Sequence, residues 1–139
     1  MRQEGHEFSL STQGVGAIEF TDEVCLWVGE SGIANGLLTL HVRHTSASLV
    51  IMENADPTVM EDLQRFFDRL TPHGDPLYHH TAEGPDDMPA HVRTALTMSS
   101  LSIPVVDGRP TLGTWQGIWL LEHRTRPHQR RVAAHLMGE

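Results

Sequence analysis

Residues 36–57 read GLLTLHVRHTSASLVIMENADP, and the change of rhythm inside this stretch carries the chain from sheet to helix. From Gly36 the apolar residues recur at every second position, with Leu38, Leu40 and Val42 on one face, His44 ending that face, and Thr39, His41 and Arg43 on the other. Period two marks a strand with one buried side. The segment Ser48 to Met52 reads as the next strand, and Asp56-Pro57 supplies a helix N-cap followed by proline at the first helical position. Val59, Leu63, Phe66, Phe67 and Leu70 then fall at i, i+4, i+7, i+8 and i+11, the stripe of a helix packed on a sheet, which Thr71-Pro72 ends.

Working outward, the N-terminal segment to Ser11 alternates loosely through Phe8 and Leu10, and a turn at Gln13 to Gly16 leads into a short run from Ala17 to Phe20. Two short strands are expected there. Thr21-Asp22-Glu23 offers a capping hydroxyl and first-turn acids, Val24, Trp27 and Val28 follow at helical spacing, and Gly32 is a stop. On the C-terminal side, residues 73–87 form a long loop rich in His, Gly, Pro and acids, which marks it as a candidate site loop. Met88-Pro89 predicts a helix to about Met98 with His91 in its first turn, Leu101 to Val106 predicts a strand, and Asp107 to Pro110 a turn. Leu112 to Leu121 reads as a long strand apolar on both faces, hence covered on both sides by helices or by another subunit, and a last strand runs from about Arg131 to Leu136. A chain of 139 residues is long enough for one core and short for two, so residues 1–139 are expected to form a single domain.

Eighteen acids against ten basic residues leave a formal charge of −8 with His neutral, which argues against a nucleic-acid or acidic-membrane binder. All ten basic residues are Arg. Without Lys, the side chains cannot supply a Schiff base, a pyridoxal-phosphate anchor, a Walker A loop or a Ser-Lys dyad. One cysteine, Cys25, excludes an internal disulfide and any Cys-pair zinc site. The first residues lack the basic start and apolar stretch of a signal peptide, and no apolar run approaches the roughly 20 residues that span a bilayer, so a cytoplasmic location is expected.

Charge is segregated along the chain. Residues 53–87 hold nine acids against two Arg, whereas residues 123–131 hold four Arg, two His and no acid. One region suits a cation and the other an anion, although Glu61, Asp62, Arg65, Asp68 and Arg69 also fit an ordinary solvated helix face. Ten His raise the prospect of a metal: His44 ends an apolar strand face, His79 and His80 lie in the acidic loop, and His91 opens a helix. Imidazole and carboxylate donors from separate elements assemble open divalent-metal sites, but no His-Glu-x-x-His or Cys/His motif is present, and a lone His near a core is more often hydrogen-bonded structure than ligand. Thr45-Ser46-Ala47-Ser48 could bind phosphate oxygens, with no Gly-x-Ser-x-Gly elbow to make Ser46 a nucleophile. Gly14-x-Gly16 lacks a third glycine and reads as a turn.

Four motifs in order, His44-Thr45-Ser46-Ala47-Ser48, Glu53-Asn54-Ala55-Asp56-Pro57, Glu83-Gly84-Pro85-Asp86-Asp87-Met88-Pro89-Ala90-His91 and Gly113-Thr114-Trp115-Gln116-Gly117-Ile118, resemble those of the YjbQ family, the secondary thiamine-phosphate synthase proteins. The resemblance runs over nearly the whole chain. It implies a two-layer α+β domain, mainly antiparallel in its sheet and packed with about three helices, that assembles as a homotrimer with sites near subunit boundaries. It also implies a divalent metal held by His44, His80 and His91, zinc first, with magnesium, manganese or nickel as alternatives. Glu53 then orients a ligand or acts as base and Arg130 holds phosphate, with Thr45, Ser46, Thr114, Gln116, Arg124 and Arg131 as further phosphate or substrate contacts. The chain departs from the family at Ser46, where many relatives carry Thr, at Asp87-Met88, where many carry Asn, and at His128, often Arg. The implied activity joins hydroxymethylpyrimidine diphosphate to thiazole phosphate with loss of pyrophosphate, a reaction that asks for a cation and Arg at the leaving group. Two other readings compete with it: a metal-dependent hydrolase of unknown substrate, for which the synthase activity is incidental, and a non-catalytic metal- or anion-binding trimer.

Overall fold

The computed structural model describes residues 1–139. It contains eight strands and three helices: β1 (Arg2–Ser11), β2 (Gly16–Glu19), α1 (Thr21–Ser31), β3 (Gly36–Val42), β4 (Ala47–Glu53), α2 (Pro57–Leu70), α3 (Asp87–Leu96), β5 (Ser100–Val106), β6 (Arg109–Pro110), β7 (Gln116–Glu122) and β8 (Gln129–Gly138). The strands pair antiparallel in two sheets rather than one, five-stranded in the order β1-β8-β3-β5-β6 and three-stranded in the order β2-β7-β4. The chain is thus a single α+β domain with antiparallel sheets and three helices.

The period-two face of β3 explains why the sheets meet. Leu38, Leu40 and Val42 join Leu101, Ile103 and Val105 of β5 and Val132, Ala134 and Leu136 of β8 to make the inner side of the large sheet. Against it lie Leu49, Ile118 and Leu120 of the small sheet, with Phe20, Val24 and Val28 closing the core around α1. Burial of each Leu in such a core stabilises by about 1.5–3 kcal/mol before entropy is counted. The other face of the small sheet is polar where α2 and α3 cover it: Ser48 meets Thr97 at 2.6 Å, and the rings of His123 and Phe67 stand 6.5 Å apart.

Several elements differ from the sequence expectation, each for a local reason. Phe20, not Thr21, occupies the N-cap of α1; the Thr21 hydroxyl donates to Glu19 Oε2 at 2.7 Å and accepts the Ile118 N–H at 2.8 Å. β7 starts at Gln116 instead of Leu112, because the Gln116 side chain accepts the Gly113 N–H at 2.7 Å and closes a turn there. From Gly117 onward the strand is covered on both faces as expected, with Leu120 and Leu121 both fully buried. α3 starts at Asp87 and stops at Leu96 because Met98 is drawn into an antiparallel bridge with Leu49. β8 extends to Gly138 because β1 pairs along its whole length, from Arg2↔Gly138 to Ser11↔Gln129. There Gly36 faces Gly138 across the β3–β8 ladder so closely that a Cβ on Gly36 would stand 2.2 Å from the Met137 carbonyl oxygen.

α2 is capped as read, Asp56 Oδ1 accepting the Thr58 N–H at 2.9 Å. Its apolar stripe is only partly covered: Phe67 is buried, whereas Phe66 and Leu70 remain 50% and 52% exposed. No helix is long and apolar enough to cross a membrane.

Candidate metal centre

The first turn of α3 places Asp87 and His91 one turn apart on the same face, and the loop before it brings His80 over them. His80 Nε2 lies 2.7 Å and His91 Nε2 3.2 Å from the same oxygen, Asp87 Oδ2, and all three donor atoms fall within 4.8 Å of one another. Asp87 is buried, His91 partly buried and His80 exposed, so the cluster is anchored below and open above. His91 Nδ1 donates to the Thr45 carbonyl at 2.8 Å; since a carbonyl only accepts, Nδ1 carries a proton, and it is Nε2 that offers a lone pair to the cluster whenever the ring is neutral. A histidine whose second nitrogen is tied to a backbone carbonyl is how metal ligands are commonly held. With the His91 ring neutral, Nε2 and a carboxylate oxygen 3.2 Å away are two acceptors that a cation between them would satisfy; with the ring protonated, Nε2 donates to that oxygen directly. Ligand atoms at about 2.0–2.1 Å from a tetrahedral zinc ion stand roughly 3.3 Å apart, close to the 3.2 Å between His91 Nε2 and Asp87 Oδ2. The donor set of two imidazoles and one carboxylate therefore fits a divalent cation with an open coordination position.

The acids are held by Arg124. Its Nη1 donates to Asp87 Oδ1 at 2.8 Å, its Nε to Asp86 Oδ2 at 2.9 Å and its Nη2 to the Glu83 carbonyl at 2.9 Å. Asp86 Oδ2 also accepts the Thr125 N–H at 2.9 Å. Burial raises the pKa of both carboxyls, but the hydrogen bonds and charge around them outweigh it: Arg124 and the Thr125 amide hold Asp86 well below the usual range, and His80, His91 and Arg124 hold Asp87 below it. Gly84 makes the sharp approach to this corner at φ +106, where a side chain would be strained.

Beside the triad lies a recess of about 520 Å³ lined by Arg43, His44, Thr45, Ser46, Ser99 and Arg130, among others. Arg130 is buried; its Nε donates to Glu122 Oε1 at 2.8 Å, and its Nη2 donates to Glu122 Oε2 and, at 3.0 Å, to Ser46 Oγ. His44 Nε2 accepts the Arg131 N–H at 2.9 Å, and burial together with the Arg130 charge lowers its pKa. The Arg131 and Arg43 side chains each stand 3.5 Å from the Glu7 carboxylate.

The residues singled out from sequence thus fall into two groups. His44, Thr45, Ser46, His80, His91, Arg124, Arg130 and Arg131 gather at one end of the small sheet, but His44 does not join His80 and His91; Asp87 stands with them instead. The signal for Asp87 was its i, i+4 spacing to His91 at a helix start. Glu53, Thr114 and Gln116 lie at the other end, with Glu53 and Gln116 paired in register. The seven residues of β4 separate the groups by about 20 Å. There Glu53 Oε2 accepts the Asp56 N–H at 2.9 Å and Gln116 closes the turn before β7. His79 is exposed beside the triad. Buried His123 bonds Ser48 Oγ at 2.8 Å, and burial with the Arg93 charge pushes its pKa down to about 4.

Known proteins share both the sequence and the fold. The family model for the UPF0047 protein YjbQ-like family matches residues 6–139. A UPF0047 protein of Synechocystis sp. is 52% identical over 138 residues, 99% of this chain and 94% of that protein, and UPF0047 protein YjbQ of Escherichia coli O157:H7 is 46% identical over 132 residues, 94% and 95% of the two chains. Among solved structures, a hypothetical protein from Aeropyrum pernix K1 superposes with a TM-score of 0.89 at 34% identity, covering 98% of this chain and 99% of that one. An uncharacterized YjbQ/UPF0047 protein from Clostridium acetobutylicum reaches 0.86 at 36% identity, covering 95% and 99%. By sequence over nearly its full length, the chain belongs to the UPF0047 YjbQ-like family.

Proposed function

We propose that the protein is a metal-dependent enzyme acting on small phosphorylated molecules, with His80, Asp87 and His91 holding a divalent cation, zinc first. The observation that carries this reading is the orientation of His91: Nδ1 is committed to the Thr45 carbonyl, which leaves Nε2 facing the His80–Asp87 contact, and Thr45 itself lines an Arg-containing recess. The reaction that suits this inventory is the secondary thiamine-phosphate synthase reaction. In it the thiazole nitrogen forms a bond to the pyrimidine methylene carbon as that carbon's bond to the pyrophosphate oxygen breaks, the electron pair leaving with pyrophosphate. A bound cation supplies charge neutralisation at the leaving pyrophosphate. Ser46 and Thr45 offer hydroxyls to phosphate oxygens, and His44 lines the same recess.

A homotrimer completes the proposal. Phe66 and Leu70 on α2 and Trp115 before β7 are each at least half exposed, apolar side chains suited to contact with further copies, and a neighbour laying the far end of its small sheet on this site would add Glu53, Thr114 and Gln116. The commitment of Arg124 and Arg130 to Asp86, Asp87 and Glu122 favours, as a second reading, a trimer that binds cations without catalysis.

Tag-free protein should contain close to one zinc ion per chain by elemental analysis and release pyrophosphate from the two phosphorylated precursors, and His91→Ala should lose both. Metal without turnover selects the binding reading; phosphate release without a coupled product selects hydrolysis; metal retained in full by His91→Ala removes the triad from the site.

A further inference from the structure

We infer that Glu122, which touches none of the three candidate cation ligands, is a positioning residue for two of them. This inference rests on the reading of His80, Asp87 and His91 as a cation site. Glu122 ends β7 and is 1% exposed, yet its carboxylate gathers donors from three segments. Thr12 Oγ1 donates at 2.6 Å, Arg130 Nε at 2.8 Å, the His123 N–H at 3.0 Å and the Arg124 N–H at 3.1 Å, with Arg130 Nη2 on Oε2 and His128 Nδ1 3.5 Å away. A carboxylate offers about four lone-pair sites, so Glu122 is saturated and has nothing left for a substrate or metal. Burial pushes its pKa up, but the Arg130 and Thr12 hydrogen bonds outweigh that and keep it ionised.

Two chains of contacts leave this carboxylate and converge on the triad. Along the first, Glu122 Oε2 holds the backbone of His123 and Arg124, which sets the turn from which the Arg124 side chain reaches Asp87 Oδ1. Along the second, Glu122 holds the Arg130 guanidinium, which donates to Ser46 Oγ at 3.0 Å and to the Ser46 carbonyl at 3.3 Å; the preceding residue, Thr45, presents the carbonyl that fixes the His91 tautomer. One buried charge therefore positions the partner of Asp87 and the partner of His91 together. Loss of a group that orients ligands lowers metal affinity about 10- to 100-fold, whereas a merely structural carboxylate would leave ligand geometry alone once the fold is intact.

The test compares the full chain with Glu122→Gln and Thr12→Val, which removes another buried partner of Glu122 lying on neither chain of contacts. Long-range ¹H–¹⁵N correlations of the imidazoles, recorded without metal, report the His91 tautomer; cobalt(II) titration, followed by its d–d absorbance, reports affinity and ligand geometry. Expected are loss of the Nδ1–H tautomer of His91 and about 10- to 100-fold weaker cobalt binding in Glu122→Gln, with neither change in Thr12→Val. Wild-type values for both readouts in Glu122→Gln, or equal changes in Thr12→Val, overturn the inference. Should Glu122→Gln fail to fold, Arg130→Lys tests the second chain of contacts: a shifted His91 tautomer supports the inference, and an unchanged one overturns it. If the wild-type chain binds no cobalt while Glu122→Gln alone shifts the His91 tautomer, the cation reading fails and the positioning role stands.

Discussion

The two faces of the small sheet are built on opposite principles. One face turns Leu49, Ile118 and Leu120 towards the large sheet in a dry apolar core. The other turns Ser48, Leu121 and His123 towards α2, α3 and the loop before α3, where a buried Arg93, ion pairs and half-exposed Phe66 and Leu70 replace close apolar packing. The first face holds the two sheets together by apolar burial, and the second positions its groups by directional hydrogen bonds, which fix donor atoms in a way that interchangeable hydrocarbon contacts do not.

Four measurements can break or sharpen this contrast, in decreasing order of expected effect. Leu40→Ala, in the dry core, should cost about 3–4 kcal/mol in urea unfolding; a loss under about 1 kcal/mol would mean that the two sheets do not rely on each other. His123 comes next. Its folded pKa of about 4 lies below the ordinary 6.5, so between these values the unfolded chain takes up a proton that the native one refuses, and stability falls as pH falls through that window by about 3 kcal/mol from this group. His123→Phe should flatten the slope between pH 6.5 and 4, leaving the steeper loss below about pH 4, where the depressed carboxyls Asp86, Asp87 and Glu122 protonate; an unchanged slope refutes this. Arg124→Gln should weaken cobalt binding about 10- to 100-fold, or roughly 1.4–2.8 kcal/mol, while the core keeps its unfolding slope with denaturant. Smallest is Phe66→Ala: on a helix with one open side it should cost less than about 1 kcal/mol in dilute monomer. Sedimentation showing a shift from larger species to monomer in this variant would identify α2 as a subunit contact.

The dry face was more legible in sequence than the wet one. Alternation in β3 and the cap at Asp56-Pro57 are local signals, tied to backbone geometry within a few residues, and the structure keeps both. What period two could not reveal was the division into two sheets, because pairing partners are chosen over long sequence distances. At the site, His80 and His91 of the singled-out histidines stand together while His44 is held apart by Arg131, and Asp87, in the place given to His44, was in reach through its helical spacing to His91. Glu122 was out of reach. It sits at the end of an apolar strand, and its role depends on Thr12, Arg124 and Arg130, brought to it only by folding.

The strand order of the large sheet has a consequence in time. β8, translated after every other strand, lies between β1 and β3, so the first strand has no neighbour in its sheet until residues 129–138 have emerged from the ribosome. Such long-range pairing slows folding and leaves open strand edges on the nascent chain. Arg130 rides on that same strand, so the polar corner around Glu122 cannot form before the large sheet closes. A chain stalled before β8 would therefore lack Val132, Ala134 and Leu136 from its core together with the Arg130 that anchors the polar corner, so the two are completed in one step.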